Sequence, residues 1–344
     1  MIDRSVRILA ASLLTAAVGW TAAAAQSVEE LYAKAKQEGE LTWYTSHASA
    51  EVMENYGNLF TELYPGVEVK VVRTTAQVAF QRLQQDLRNR QNICDVISTT
   101  DLGHYVKLKA DGLLARYTPP NAAKTFDVFK GLDPDGYYHI TSSGMVALTY
   151  NSDLVSDAEA PANWTDLLDP KWQGKVSVGH PAYSGYVGTW VVTMRKLYGW
   201  DFFERLERND PRIGRSINDT VTMLAAKESA VAAGPDATTA MSAERGNPLK
   251  INYPTDGALL MIAPSAVMRD APNPNAARLF VNFLLSKQAG ELGRKSYHVS
   301  LRPDVEPAPG FKPLSEIKTV RPTLDEIRTG IPEVVEDWRD LFGN

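Results

Sequence analysis

Residues Tyr253–Gly290 read YPTDGALLMIAPSAVMRDAPNPNAARLFVNFLLSKQAG. The stretch divides into a sharp turn, a buried strand, a Pro-rich loop and an amphipathic helix. Pro254 followed by Asp256-Gly257 is ordinary turn chemistry, because proline presets φ and Asp and Gly tolerate the reversal. A short apolar run then predicts a buried strand, and apolar residues at helical spacing predict the helix. Nothing in the stretch has to break a bond, so it reads as machinery for shaping a cleft.

Upstream, the pattern is β-α-β-α-β. Ser27 and Glu30 form a capping box for a helix that stops at Gly39. Leu41 to Thr45 is a strand. Val52, Met53, Tyr56, Leu59, Phe60 and Leu63 mark a second helix, which Pro65-Gly66 breaks. Val67 to Val72 is a strand, Ala76 to Arg90 a helix and Cys94 to Ser98 a strand. Alternation of this kind predicts a parallel sheet with right-handed crossovers. A second α/β region follows, with strands at Met145–Asn151 and Lys175–Val178, a long helix from Gly188 to Leu206, a helix at 219–226, a short strand at 230–233 and a helix at 236–244. The segment from Leu301 to Asn344 is Pro-rich and then helical, and is expected to brace a lobe surface.

Residues 1–25 carry Arg4 and Arg7, then a mostly apolar run from Ile8 to Trp20, then Ala23-Ala24-Ala25 before Gln26. That is the pattern of a cleaved secretory signal peptide, and the run is short of the ~20 residues a membrane span needs. The predicted location is the periplasm. The formal charge of the whole chain is −5. With no basic run, nucleic acid is not expected as a partner. Cys94 is the single cysteine, so no intramolecular disulfide forms and the core must hold the fold. A monomer of two α/β lobes is expected: 26–143 with 258–300 as a discontinuous first lobe, 144–257 as the second, and 301–344 as an extension.

In open α/β sheets, ligands sit at strand C-termini and helix N-termini. Four turns concentrate small, hydroxyl and aromatic residues there. The candidates are Thr45, Ser46 and His47 in the first; Thr99 and Thr100 in the second; Ser142 and Ser143 in the third, ahead of the Met145 strand; and Tyr183, Ser184, Gly185 and Tyr186 in the fourth. Free N–H groups at a helix start carry partial positive charge and suit an anion. Each such turn also has a plain reading, since Ser and Thr are ordinary N-caps. Asp256 either holds the turn or meets a ligand donor; Asp236 is a carboxylate candidate. The histidines at 47, 104, 139, 180 and 298 show no metal-site spacing, and of these His47 and His180 are best placed for a cleft. There is no G-x-S-x-G, P-loop or dinucleotide fingerprint, so no enzyme is expected, and neither a cofactor nor a resident metal is expected.

Taken together, Leu41–Ser46, Cys94–Thr99, Val146–Val155, Trp164–Lys175 and Tyr253–Gly290 resemble the periplasmic solute-binding proteins of ABC importers. The likeness is to the type 2 fold, in the branch that includes ferric-ion, phosphonate, thiamine and polyamine binders. The resemblance implies two mixed sheets flanked by helices, a ligand cleft between lobes, closure on one solute and delivery to an inner-membrane ABC permease. Ferric members typically present a tandem tyrosine pair from the second lobe, often with a histidine from the first. His47 matches that histidine, but the corresponding second-lobe stretch here is Ala233-Gly234-Pro235-Asp236-Ala237-Thr238-Thr239, and the tandem Tyr137-Tyr138 lies elsewhere. The reading favours a small anionic organic or phosphorylated solute. A ferric carrier using Tyr183, Tyr186 or Tyr253, or a ligand sensor, stands as the alternative.

Overall fold

The computed structural model describes residues 27–343; the leader read at residues 1–25 lies outside them. In chain order the elements are α1 (Val28–Glu38), β1 (Glu40–Thr45), α2 (Ala50–Leu63), β2 (Glu68–Arg73), α3 (Ala76–Arg88), β3 (Val96–Ser98) and α4 (Leu102–Ala110). After a loop come β4 (His139–Asn151), β5 (Val176–Gly179), α5 (Gly185–Tyr198), α6 (Asp201–Arg208), β6 (Arg212–Gly214), α7 (Asp219–Ala225), β7 (Val231–Pro235) and α8 (Asp236–Glu244). The chain closes with β8 (Leu249–Asn252), β9 (Ala258–Val267), α9 (Pro274–Leu284), α10 (Lys287–Lys295), β10 (Thr319–Val320) and α11 (Leu324–Phe342).

The strands run in the order β2-β1-β3-β9-β4-β7-β5-β6, with β10 on β9 and β8 on β4. Within the first half β1 pairs β2 and β3 in parallel, as the β-α-β-α-β pattern requires. In the second half β5 pairs β6 and β7 in parallel. The long strands β4 and β9 run antiparallel from His139↔Ser265 to Val146↔Leu259 and make the two halves one continuous, curled sheet. The mixed sheets expected from sequence are therefore joined through a shared ladder. This pair is the spine that the opening stretch encodes: β9 is buried along its whole length.

Burial follows strand alternation. On β1, Trp43 packs with Phe60, Phe280 and Phe283 beneath α1, α2 and α9, while its neighbour Tyr44 packs with Leu83, Ile97 and Tyr105 on the other face. Trp43 and Phe280 meet edge-on, with ring centroids 4.8 Å apart. The second half is built on Trp164, Trp190, Phe202, Phe203 and Trp338. Trp338 comes from α11, which packs on α5 and α6 and also reaches α4. The expected bracing helix thus touches both halves.

Local signals explain most element ends. Both hydrogen bonds of the Ser27–Glu30 capping box form, and Gly39 ends α1 at φ +80°. The long helix expected over 188–206 is two helices, because Gly199 at φ +75° breaks it. Residues Thr141–Gly144, read as a turn, belong to β4 instead. Their polar side chains find buried partners: Thr141 Oγ1 lies 2.5 Å from Ser265 Oγ, and Ser265 Oγ lies 2.5 Å from Ser98 Oγ. The indole N–H of Trp43 donates to Ser98 Oγ at 2.7 Å, completing a hydroxyl chain across four strands. A register shift between Ile140 and Ser142 bulges β4 at this point. Cys94 is buried and free, and burial pushes its thiol well up from the usual range.

Candidate functional site

A cleft enclosing about 610 Å3, its mouth included, opens where the two halves of the sheet meet. The first half contributes Ser46 and His47 after β1, Arg73 at the end of β2, Thr75 just before α3, and Thr100 after β3. The second half contributes Ser184 and Tyr186 at the start of α5, Ser216–Asn218 before α7, and Pro235–Thr238 where β7 enters α8. Ser142 to Met145 of β4 form the floor, and His298 comes from the loop after α10.

Eight of the thirteen sequence candidates line this cleft: Ser46, His47, Thr100, Ser142, Ser143, Ser184, Tyr186 and Asp236. The other five do not. Thr45 is fully buried and its hydroxyl oxygen accepts from the backbone N–H of His47 at 3.3 Å. Thr99 is also fully buried, with Oγ1 3.0 Å from His104 Nδ1. Tyr183 turns outward, packing against His180 with Arg215 over its ring at 5.0 Å. His180 goes with it, away from the cleft. Asp256 serves the fold: Oδ2 accepts from the backbone N–H of Trp164 at 3.0 Å and from the Tyr198 hydroxyl. Gly185 lies behind the lining, where α5 meets the loop after β3.

Hydrogen bonds tie the cleft lining to its surroundings. Ser46 Oγ accepts from the Thr100 N–H at 3.2 Å, tying the first two turns together. Ser143 donates to the Val299 carbonyl at 3.0 Å. His47 donates from Nε2 to the Pro264 carbonyl at 3.1 Å; burial depresses its pKa to about 3. His298 is likewise held down, to about 4, by burial. Both imidazoles are neutral at physiological pH, so neither brings positive charge.

Among the described residues lining the cleft, Arg73 is the one permanent cation. Its Nε donates to the Ala48 carbonyl at 2.6 Å; burial lowers its pKa and Asp219 opposes that shift. Directly after it, α3 starts at Ala76 with no side-chain cap, and Thr75 Oγ1 is buried without a hydrogen-bond partner among the described residues. A buried unpaired hydroxyl and an uncapped helix start are costs that a bound anion would offset.

The second half presents the opposite charge. Asp236 opens α8 and is almost fully buried; its Oδ1 accepts from Ala237 N–H at 2.7 Å and Met145 N–H at 3.2 Å, and Oδ2 accepts from Tyr253 Oη–H at 3.3 Å. Burial nevertheless raises its pKa to about 6. Burial, and after it the charge of Asp236, pushes the phenols of Tyr186 and Tyr253 upward, against tyrosinate formation. Sequence reading missed Arg73, Thr75, Asn218, Thr238 and His298. Arg73-Thr74-Thr75 is a strand-to-helix turn of the same kind as the four singled out; His298, on an irregular loop, has no local signal.

Two α/β halves joined by a pair of crossing strands, with a polar cleft at the junction, define a solute-binding protein. The chain belongs to the family of bacterial extracellular solute-binding proteins, whose sequence model matches residues 91–329. A putative 2-aminoethylphosphonate-binding periplasmic protein of Salmonella typhimurium is 24% identical over 352 residues, covering 97% of both chains. An uncharacterized protein of Haemophilus influenzae is 24% identical over 270 residues, 76% of this chain and 77% of that one. The fold is that of the periplasmic binding protein AfuA from Actinobacillus pleuropneumoniae, solved with exogenous fructose-6-phosphate bound. The TM-score is 0.79 at 24% identity, covering 88% of this chain and 98% of that one. Iron-bound HitA from Pseudomonas aeruginosa gives 0.75 at 20% identity, covering 88% and 99%.

Proposed function

We propose that this protein is a periplasmic receptor of an ABC import system and that its solute is a small phosphonate or phosphate ester. The observation that carries the reading is the pairing of Arg73 with the uncapped start of α3 and the unpartnered Thr75 hydroxyl, all at one end of the cleft. A charge-assisted hydrogen bond from a partly desolvated guanidinium is worth about 1.5–3 kcal/mol, and a helix start adds about 0.3–1 kcal/mol. Asp236, facing from the second half, suits an amine on the same molecule. The relative named for 2-aminoethylphosphonate makes that zwitterion the first compound to try.

The lobes are 26–143 with 258–300, and 144–257; residues 301–344 form the bracing extension. Closure of these lobes on the solute produces the form an inner-membrane permease would recognise, and the receptor acts as a monomer without catalysis. A thermal-shift screen tests the reading. Included are 2-aminoethylphosphonate, ethylphosphonate, fructose-6-phosphate, inorganic phosphate, putrescine, thiamine and ferric citrate. Phosphonates or phosphate esters should raise Tm, by about 2.7 kcal/mol of stabilisation at 100 times Kd. A response to ferric citrate or putrescine alone would contradict it.

A further inference from the structure

A second cavity, about 1320 Å3 with its open mouth included, adjoins the cleft, and Met145 and His298 line both. Its character is different. The cleft is walled by hydroxyls, imidazoles, the Arg73 guanidinium and the Asp236 carboxyl, whereas Phe126, Val128, Leu260, Tyr297, Phe311 and Ile317 dominate the second cavity. Phe126 and Val128 are 38% and 47% exposed at its rim. Large apolar side chains left in water beside a cavity mark a surface that something covers. Tyr297 sits at φ +61° as the left-handed residue that ends α10: its N–H donates to the Arg294 carbonyl at 3.1 Å and the His298 N–H to the Gly293 carbonyl at 2.9 Å. That backbone places its ring against Phe311, with centroids 5.3 Å apart, and places the next residue, His298, at the junction of the two cavities.

We infer that the second cavity is a continuation of the binding site, taking an alkyl or aryl substituent of a solute whose phosphonate or phosphate group lies in the cleft. The inference rests on the anion-binding reading above. It makes the preferred solute an amphiphilic anion, with its charged head at Arg73 and its apolar part beyond Met145 and His298. The two cavities share Met145 and His298 as walls, and that adjacency is what commits the second cavity to the solute's own tail.

Calorimetric titration with ethylphosphonate and n-hexylphosphonate tests this. Each methylene buried should tighten binding by about fourfold, so the hexyl compound should bind at least tenfold tighter. Ser315→Trp, at a solvent-exposed lining position, places an indole where the tail would lie; Val128→Asp places a carboxylate at the rim. Both variants should erase the hexyl advantage and leave ethylphosphonate affinity unchanged. Equal affinity for the two compounds, or a hexyl advantage that survives both substitutions, overturns the inference while leaving the anion reading intact. Failure of both compounds to bind overturns the two together.

Discussion

Thr100 and Gly185 meet backbone to backbone behind the cleft lining: a Cβ built on Gly185 would stand 2.6 Å from the Thr100 carbonyl oxygen. Thr100 follows β3 in the first half and Gly185 opens α5 in the second, so this contact joins the halves and, on the closure proposed above, is where they would shut. Gly185→Ala should hold them apart. The variant is expected to fold with nearly wild-type Tm, because the strain is relieved by opening, and to bind solute at least tenfold more weakly. Small-angle scattering should show no ligand-dependent compaction in it. A variant that still compacts and binds normally would show that the contact is incidental to closure. The exposed Arg245–Glu51 ion pair, 2.5 Å long and also bridging α8 to α2, should matter far less, since such pairs contribute about 0–1 kcal/mol.

Arg73 supplies the positive charge of the cleft. Arg73→Gln keeps a donor for the Ala48 carbonyl and removes the charge. Affinity for a phosphonate should fall about 10- to 100-fold, in line with about 1.5–3 kcal/mol for a charge-assisted bond, with little change in Tm of the unliganded protein. Calorimetry on the two proteins reads both effects; an unchanged Kd would place the anion elsewhere.

Asp236 gives the stability of this protein a definite pH signature. Its folded pKa of about 6 lies above the unfolded value, so the folded state binds the extra proton. Its contribution is fully present below pH 3.8 and is lost as pH rises through 6, to about 3 kcal/mol. His47 and His298, depressed to about 3 and about 4, act in the opposite sense and lose stability as pH falls below 6.5. The two histidine shifts together exceed that of Asp236, so the wild-type protein loses stability as pH falls through this window, and the comparison with Asp236→Asn isolates the carboxylate. The variant should be the more stable protein at pH 7.5, with its advantage vanishing near pH 4 in denaturant titrations. An advantage independent of pH would show that the carboxylate does not titrate in this window.

Asp256 should behave as a structural residue. Asp256→Ala removes the acceptor shared by Trp164 N–H and the Tyr198 hydroxyl, leaving two donors unpaired at a cost of about 1–3 kcal/mol each. Tm should fall while phosphonate affinity stays within twofold. A selective loss of affinity would return Asp256 to the site.

The fold was legible because its signals are local. The Ser27–Glu30 capping box, Gly39, Pro65-Gly66 and the uniform apolar run of β9 each specify an element end or a buried strand without help from distant residues. Where reading failed, long-range pairing won. Thr141 to Gly144 look like a turn by composition, but the β9 ladder and the Ser265 hydroxyl recruit them into β4. Asp256 and Tyr183 carry the right chemistry for a cleft, and partners far along the chain, Tyr198 and Arg215, turn them to other tasks. His298 reaches the site from an irregular loop that no periodicity marks. Arg73 was within reach of sequence alone, since it ends a strand one turn ahead of a helix.

The most direct test of the charge layout is a crystal structure with 2-aminoethylphosphonate. The phosphonate oxygens are expected against the Arg73 guanidinium and the first N–H groups of α3, with the ammonium toward Asp236. A phosphonate seated away from Arg73, or a cleft that excludes it and takes ferric ion on tyrosinate ligands instead, would contradict the account.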